Sequence, residues 1–268
     1  MNLNIFRPKR VWGIVLRHLY LLKHSISRWI DLLYWPTVDL FLWGFITLYL
    51  QRGFYQGSKW IFQFLGALIF WNILIRAQQG LAVGFLEDIW ARNLLHIFIS
   101  PLTIFEYLMG LFIYSLFKAF VASLLMAFLA FFVFNFKVLM QGVDVFLLTG
   151  CLIIFAWSIG LLTMAFILFF GQEAEILAWA LALLFLPFSA VFYPIEVLPE
   201  NFQSIAKIVP TSYIFETFRQ ILLKGYTPYI FIVKAYILVF IYFLLSAGTF
   251  VIAFNFAKKT GKITKIGE

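Results

Sequence analysis

Cysteine occurs once in these 268 residues, histidine three times, and charged residues make up only 12%. Each scarcity excludes something. Cys151 on its own can form no intrachain disulfide, so it leaves the redox compartment open. His18 and His24 sit in the basic N-terminal stretch and His96 has no ligand-type partner four residues on, so no metal site is expected. Ser, His and Asp assemble into no recognisable catalytic set, which argues against an intramembrane enzyme. The phosphate-binding pattern G-x-x-x-x-G-K-[ST] is missing as well; Gly57-Ser58-Lys59 and Gly261-Lys262 lack the residues that should precede them. The lack of charge excludes most, because an ordinary globular domain is roughly a quarter charged.

What the chain has is apolar surface: 64% hydrophobic residues, 35 of them phenylalanine. A membrane-spanning helix needs about 20 mostly apolar residues. Six segments qualify, roughly Leu32 to Leu50, Trp60 to Phe85, Ile104 to Phe136, Val143 to Phe170, Ile176 to Tyr193 and Pro228 to Ala257. The period-2 alternation of a barrel strand is absent, so an all-α integral membrane protein is expected. Arg7, Lys9, Arg10, Arg17, Lys23 and Arg28 precede the first span, and Lys258, Lys259, Lys262 and Lys265 follow the last. The outer loops carry only Arg52, Lys59 and Lys137, so both ends are expected in the cytoplasm of a multi-pass plasma (inner) membrane protein. The net charge of +8 then reflects topology and contact with anionic lipid, with no nucleic acid expected. No cleavable signal peptide, low-complexity segment or internal repeat is visible.

The expected organisation is an interfacial helix within 1–31, a membrane domain over 32–257 and a basic tail over 258–268. From Val11 to Asp31, Trp12, Val15, Leu16, Leu19, Leu22, Ile26, Trp29 and Ile30 recur at helical spacing, with Arg10, Arg17, His24, Arg28 and Asp31 opposite. The plain reading is a membrane anchor. The sharper one is a lever between a cytoplasmic partner and the first span. Within the spans, Asp39, Arg76 and Lys118 are ionisable groups that each need a compensating partner. Asp39 and Arg76 enter from the same side, and a pairing between them is expected. Lys118, about fourteen residues into its span, is placed near mid-membrane, facing a polar cavity or a carbonyl. Lys234 is expected to snorkel outward. Gly80 and Gly84 form a small-xxx-small pair suited to close helix packing.

Two joints interrupt the apolar runs. The inner one, Phe85 to Leu108, continues helical periodicity through Leu86, Ile89, Trp90, Asn93, Leu94, Ile97 and Phe98, and ends at Ser100-Pro101. An amphipathic helix on the cytoplasmic side is expected, docked on lipid or on a protein. The outer joint, Leu186 to Tyr229, holds Pro187, Pro194, Pro199 and Pro210. Segments near 200–208 and 212–223 are too short to span and read as re-entrant or outer helices, a candidate gate.

These joints, in this order, resemble the transmembrane subunit of ABC transporters of the type-2 permease family. The likeness rests on Phe192-Tyr193-Pro194-Ile195-Glu196-Val197-Leu198-Pro199, then Ile208-Val209-Pro210 and Phe218-Arg219, together with Arg92-Asn93-Leu94-Leu95 and Ser100-Pro101-Leu102. The resemblance implies two permease subunits, a homodimer, with two separate nucleotide-binding subunits that hold ATP and Mg. It implies a coupling set of Glu87, Asp88, Arg92, Asn93 and Pro101, and an outer gate of Tyr193, Pro194, Glu196, Pro199, Pro210 and Arg219. The chain itself would bind no cofactor and catalyse nothing. The implied substrate is a drug, a lipid or a lipid-linked polysaccharide, exported by alternating access or through a continuous channel. An ion-coupled carrier or channel is the alternative; acidic or histidine series and inverted repeats, which it would want, are not evident.

Overall fold

A computed structural model of the protein describes residues 6–54, 59–136 and 144–261. Lys137, Lys262 and Lys265 lie outside the described residues. Ten α-helices follow one another among these residues: α1 (Pro8–Lys23), α2 (Ile26–Phe54), α3 (Lys59–Trp90), α4 (Leu94–Ile99), α5 (Ile104–Phe134), α6 (Asp144–Phe170), α7 (Leu177–Phe185), α8 (Glu200–Ala206), α9 (Pro210–Lys224) and α10 (Tyr229–Lys259). Among the described residues there is no β-strand.

Local chemistry sets most of the ends. Pro8 and Pro210 stand in the first turns of α1 and α9, where a missing N–H costs nothing. Thr103 and Glu106 close a reciprocal capping box on α5, and Asn135 ends that helix in the left-handed region at φ 55°. Pro36 sits inside α2 without ending it.

Among the described residues five helices, α2, α3, α5, α6 and α10, are long and apolar enough to cross a membrane. The most apolar stretch of α3 is 89% buried, against 28%, 28% and 22% for α2, α5 and α10, so α3 is the hub and the others ring it. Large apolar side chains stand exposed around this ring, among them Phe120, Phe132, Phe146 and Leu245. Water would not tolerate such a surface; lipid requires it. Gly80 lets α3 and α5 close up: a Cβ there would lie 2.5 Å from the Ser115 Cα.

The helices α6 and α10 run parallel. Their starts are joined by the Thr227 hydroxyl on Asp144, and Phe169 meets Phe256 near their far ends with ring centroids 5.7 Å apart. The segment between them must therefore return from one end of the pair to the other. It does so in a form the sequence reading missed. The expected span Ile176 to Tyr193 is a short apolar helical stretch, Leu177–Phe188, about 18 Å long at 1.5 Å per residue. A hydrocarbon core is about 30 Å thick. Pro187 falls in a 3-10 turn and Ala190 takes φ 53°, which redirects the chain into the outer joint.

The N-terminal helix also departs from expectation. The single helix expected from Val11 to Asp31 is divided at His24-Ser25 into α1 and the start of α2. Val11, Ile14, Val15, His18 and Leu22 are buried, while Trp12, Leu16 and Tyr20 are exposed. The helix thus turns a mixed apolar and cationic face to the protein and leaves a second apolar face outside. Its packing against α5, parallel to that helix, explains why one hydrophobic stripe is not enough.

Candidate functional site

The inner site grows from the end of α3. Two adjacent acids, Glu87 and Asp88, leave the helix on the side where α1 and α5 pack. Asp88 is fully buried. It accepts from the Arg17 guanidinium and, at 2.6 Å, from the Tyr107 hydroxyl. Glu87 accepts from Arg28 Nε at 2.7 Å. Buried His18 lies between them, Nδ1 3.6 Å from Glu87 and Nε2 3.6 Å from Asp88, and stacks on Tyr114 at 5.0 Å. Burial alone would lower the imidazole pKa; the Asp88 and Glu87 carboxylates outweigh it and raise His18 above its ordinary value. Glu106 extends the network. Its Oε1 accepts from the Arg7 backbone N–H at 2.8 Å, and its Oε2 from Thr103 N–H at 2.8 Å and from Arg10 at 3.4 Å.

Of the coupling residues expected from the sequence, Glu87 and Asp88 therefore face inward and hold α1 and α2. Arg92, Asn93 and Pro101 lie at the tip, with Arg92 and Pro101 exposed. The amphipathic helix expected through Phe98 is broken here. Arg92 takes φ 51°, its N–H returns to the Ile89 carbonyl, and the Asn93 N–H returns to the Asp88 carbonyl at 3.0 Å. This is a Schellman-type ending with arginine where glycine is usual. The short α4 then follows with Ile99 strongly exposed. Trp90 donates to Glu175 at 2.9 Å, tying the tip to the joint after α6.

Asp39 and Arg76 lie near enough to attract one another, but the direct contacts of Arg76 go elsewhere. Arg76 Nη1 bonds the Asp31 carbonyl at 3.0 Å, its carboxylate at 3.4 Å and Gln79 Oε1 at 3.1 Å. Asp31 occupies the first turns of α2, and its side chain is 43% exposed, so a charge costs less there; the long arginine reaches back to it. Asp39 lies beside Asn72. Lys118 stands level with the α1–α2 joint and faces a cavity, as one of the two expected surroundings had it. It lines a cavity of about 320 Å³ with Ser25, Ser27, Arg28, Asp31 and Glu87. Lys234 lies over the Tyr213 ring at 6.0 Å.

At the other end, the residues expected to form a gate fall into two groups. Arg219 is buried on α9; Nη2 donates to the Ala190 carbonyl at 2.7 Å and Nη1 pairs with Glu216 at 2.6 Å. Glu216 also accepts from the Ile195 N–H at 3.0 Å, and the Tyr193 hydroxyl donates to the Pro187 carbonyl at 2.7 Å. Pro194, Pro199 and Pro210 precede or begin the short helices, while Glu196 and Pro199 are exposed.

Several participants were not singled out from the sequence. Glu106 carried a readable signal, Thr103-x-x-Glu106 just past Pro101. Arg17, His18 and Arg28 carried none, because their partners lie 59 residues or more away.

The family model described as ABC-2 type transporter matches residues 21–223. No curated protein matches the chain.

Proposed function

The chain belongs to the ABC-2 type transporter family, and from that membership we propose that it is the permease subunit of an ATP-driven exporter. Membership itself makes it a membrane transport subunit of an ABC system. In our reading it moves an amphipathic or lipid-linked substrate (drug, lipid or polysaccharide) out of the cytoplasm across the plasma membrane. Two copies form the pathway, and each docks a separate subunit that binds ATP and Mg and hydrolyses the nucleotide.

One observation carries this reading: the same turn of α3 presents an exposed tip and, directly behind it, the ion-pair network that grips α1 and α2. Arg92, Asn93, Ile99 and Pro101 would meet the ATPase. Glu87 and Asp88 would pass its movement to α1 through Arg17 and His18, and to α2 through Arg28. This is the lever reading of the N-terminal helix. We count α7 with the outer joint as the sixth crossing, since the parallel α6 and α10 need a return between them; both ends then lie in the cytoplasm. The buried Arg219–Glu216 strut and Tyr193 would hold the outer gate, with Pro194, Glu196, Pro199 and Pro210 shaping its surface.

The test is vesicle transport by the chain assembled with its ATPase. Efflux should need ATP and stop with vanadate. Movement of substrate by the chain alone, driven by an ion gradient, would instead establish the carrier alternative.

A further inference from the structure

The cavity behind the α1–α2 joint contains one charge that the coupling network does not use. Lys118, on α5, is only 5% exposed. The half-buried and buried arginines of this end each have a carboxylate: Arg10 has Glu106, Arg17 has Asp88, Arg28 has Glu87 and Arg76 has Asp31. Lys118 has none within ion-pair distance among the described residues; the Tyr114 ring stands 6.0 Å away. The two acids in the cavity lining, Asp31 and Glu87, are thus already engaged. Arg28, which pairs with Glu87, and Lys118 are the cations of that lining, and Arg76 engages Asp31 from outside it, so Lys118 is the cation left without an ion-pair partner among the described residues. A buried ammonium without a counter-charge is costly, and more so beside lipid.

We propose that this cavity binds the phosphate headgroup of a membrane amphiphile, with Lys118 as its anchoring cation. The about 320 Å³ of space is at the lower end of small-molecule sites and suits a headgroup, not a lipid tail. Exposed Ser27 stands at the mouth, its hydroxyl 3.0 Å from that of Ser25, so both can turn a proton toward phosphate oxygens. A second, apolar groove of about 410 Å³ starts beside it on the same helix, lined by Ile26, Trp29, Ile30, Leu33 and Tyr34. At 100° per residue these side chains occupy the face of α2 next to the one bearing Ser27, Arg28 and Asp31. A polar cavity with one unengaged cation beside an apolar groove matches a lipid phosphate better than a free anion.

The proposal rests on the export reading only in naming a substrate class; binding can be measured on the chain alone. The full-length chain, in nanodiscs of phosphatidylcholine, is titrated with dioctanoyl phosphatidic acid. Dioctanoylglycerol, phosphatidylglycerol of the same chain length and inorganic phosphate serve as comparisons. Phosphatidic acid should bind, and Lys118→Met should weaken it at least about tenfold, as expected for loss of a charge-assisted contact. Lys118→Arg should keep most of the affinity. Lys118→Met removes an unpaired buried charge, so folding should survive; Lys118→Arg checks this. Equal binding of phosphatidylglycerol would identify bulk bilayer lipid as the source, and a preference for phosphatidic acid would identify a terminal phosphate; both support the site. Undiminished binding by Lys118→Met, or equal binding of dioctanoylglycerol or inorganic phosphate, would overturn it. Because no ATPase is present, failure here leaves the export reading standing, and the reverse holds too.

Discussion

Arg28 of α2 reaches Glu87 of α3 at 2.7 Å, pinning the α1–α2 joint to the last turns of the central helix. The glutamate is nearly buried and the arginine about one-third exposed, so the contact works in a partly desolvated setting. Glu87→Gln should lower stability by about 1.5–3 kcal/mol, the range for a hydrogen bond to a charged group. Glu87→Arg should be worse, and the swap Arg28→Glu with Glu87→Arg should recover part of the loss. Thermal unfolding of the purified chain checks this; equal stability of all four proteins would dissolve the pin.

His18 makes the same network sensitive to pH. Its pKa is raised in the folded protein, with Asp88 and Glu87 outweighing burial. A raised pKa means its contribution is fully present below the unfolded value near 6.5 and is lost as pH rises through the folded value. Stability should therefore fall as pH moves upward from slightly acidic conditions, and His18→Gln should flatten that slope. An unchanged slope in the variant would mean that other groups carry it.

Two glycines should respond oppositely. A Cβ at Gly80 would lie 2.5 Å from the Ser115 Cα, where backbone cannot yield cheaply. Gly80→Ala should cost about 1–3 kcal/mol, the range for overpacking. Gly13, inside α1, has nothing within 4 Å of its added Cβ, so Gly13→Ala should gain up to about 1 kcal/mol of helix propensity.

The outer joint turns on Ala190, fully buried and held at φ 53° with its carbonyl bonded to Arg219. Ala190→Gly should be neutral or stabilising by up to about 1 kcal/mol, and Ala190→Val strongly destabilising. Arg219→Met leaves a buried carbonyl and Glu216 without this partner, at about 3–5 kcal/mol. A single cysteine at exposed Glu196 or Glu200 should label from outside in intact cells; labelling only after permeabilisation would overturn the topology.

The long apolar runs made the membrane class and the five helices long and apolar enough to cross readable, because bilayer thickness imposes a length that composition reveals. Breaks were harder. Arg92 and Ala190 adopt left-handed backbone without the glycine that normally announces it, so the end of α3 and the turn after α7 were invisible. The neighbours of Lys118 were not readable because the α1–α2 joint that faces it lies about 90 residues earlier in the chain. Arg76 was matched to Asp39 by sequence depth, whereas its reach allowed the cheaper Asp31. The direction in which Glu87 and Asp88 face was not readable either: that depends on α1, whose cations come from another part of the chain.

The central claim is that the tip docks a motor and the network behind it transmits. The most direct measurement is the affinity of the ATPase subunit for the chain in nanodiscs, paired with ATP-driven efflux in vesicles. Arg92→Glu with Ile99→Asp should weaken docking at least about tenfold, which is 1.4 kcal/mol. Asp88→Asn should leave docking near native and abolish most efflux. Native docking by the tip variant, or an ATPase that binds neither protein, would contradict the account.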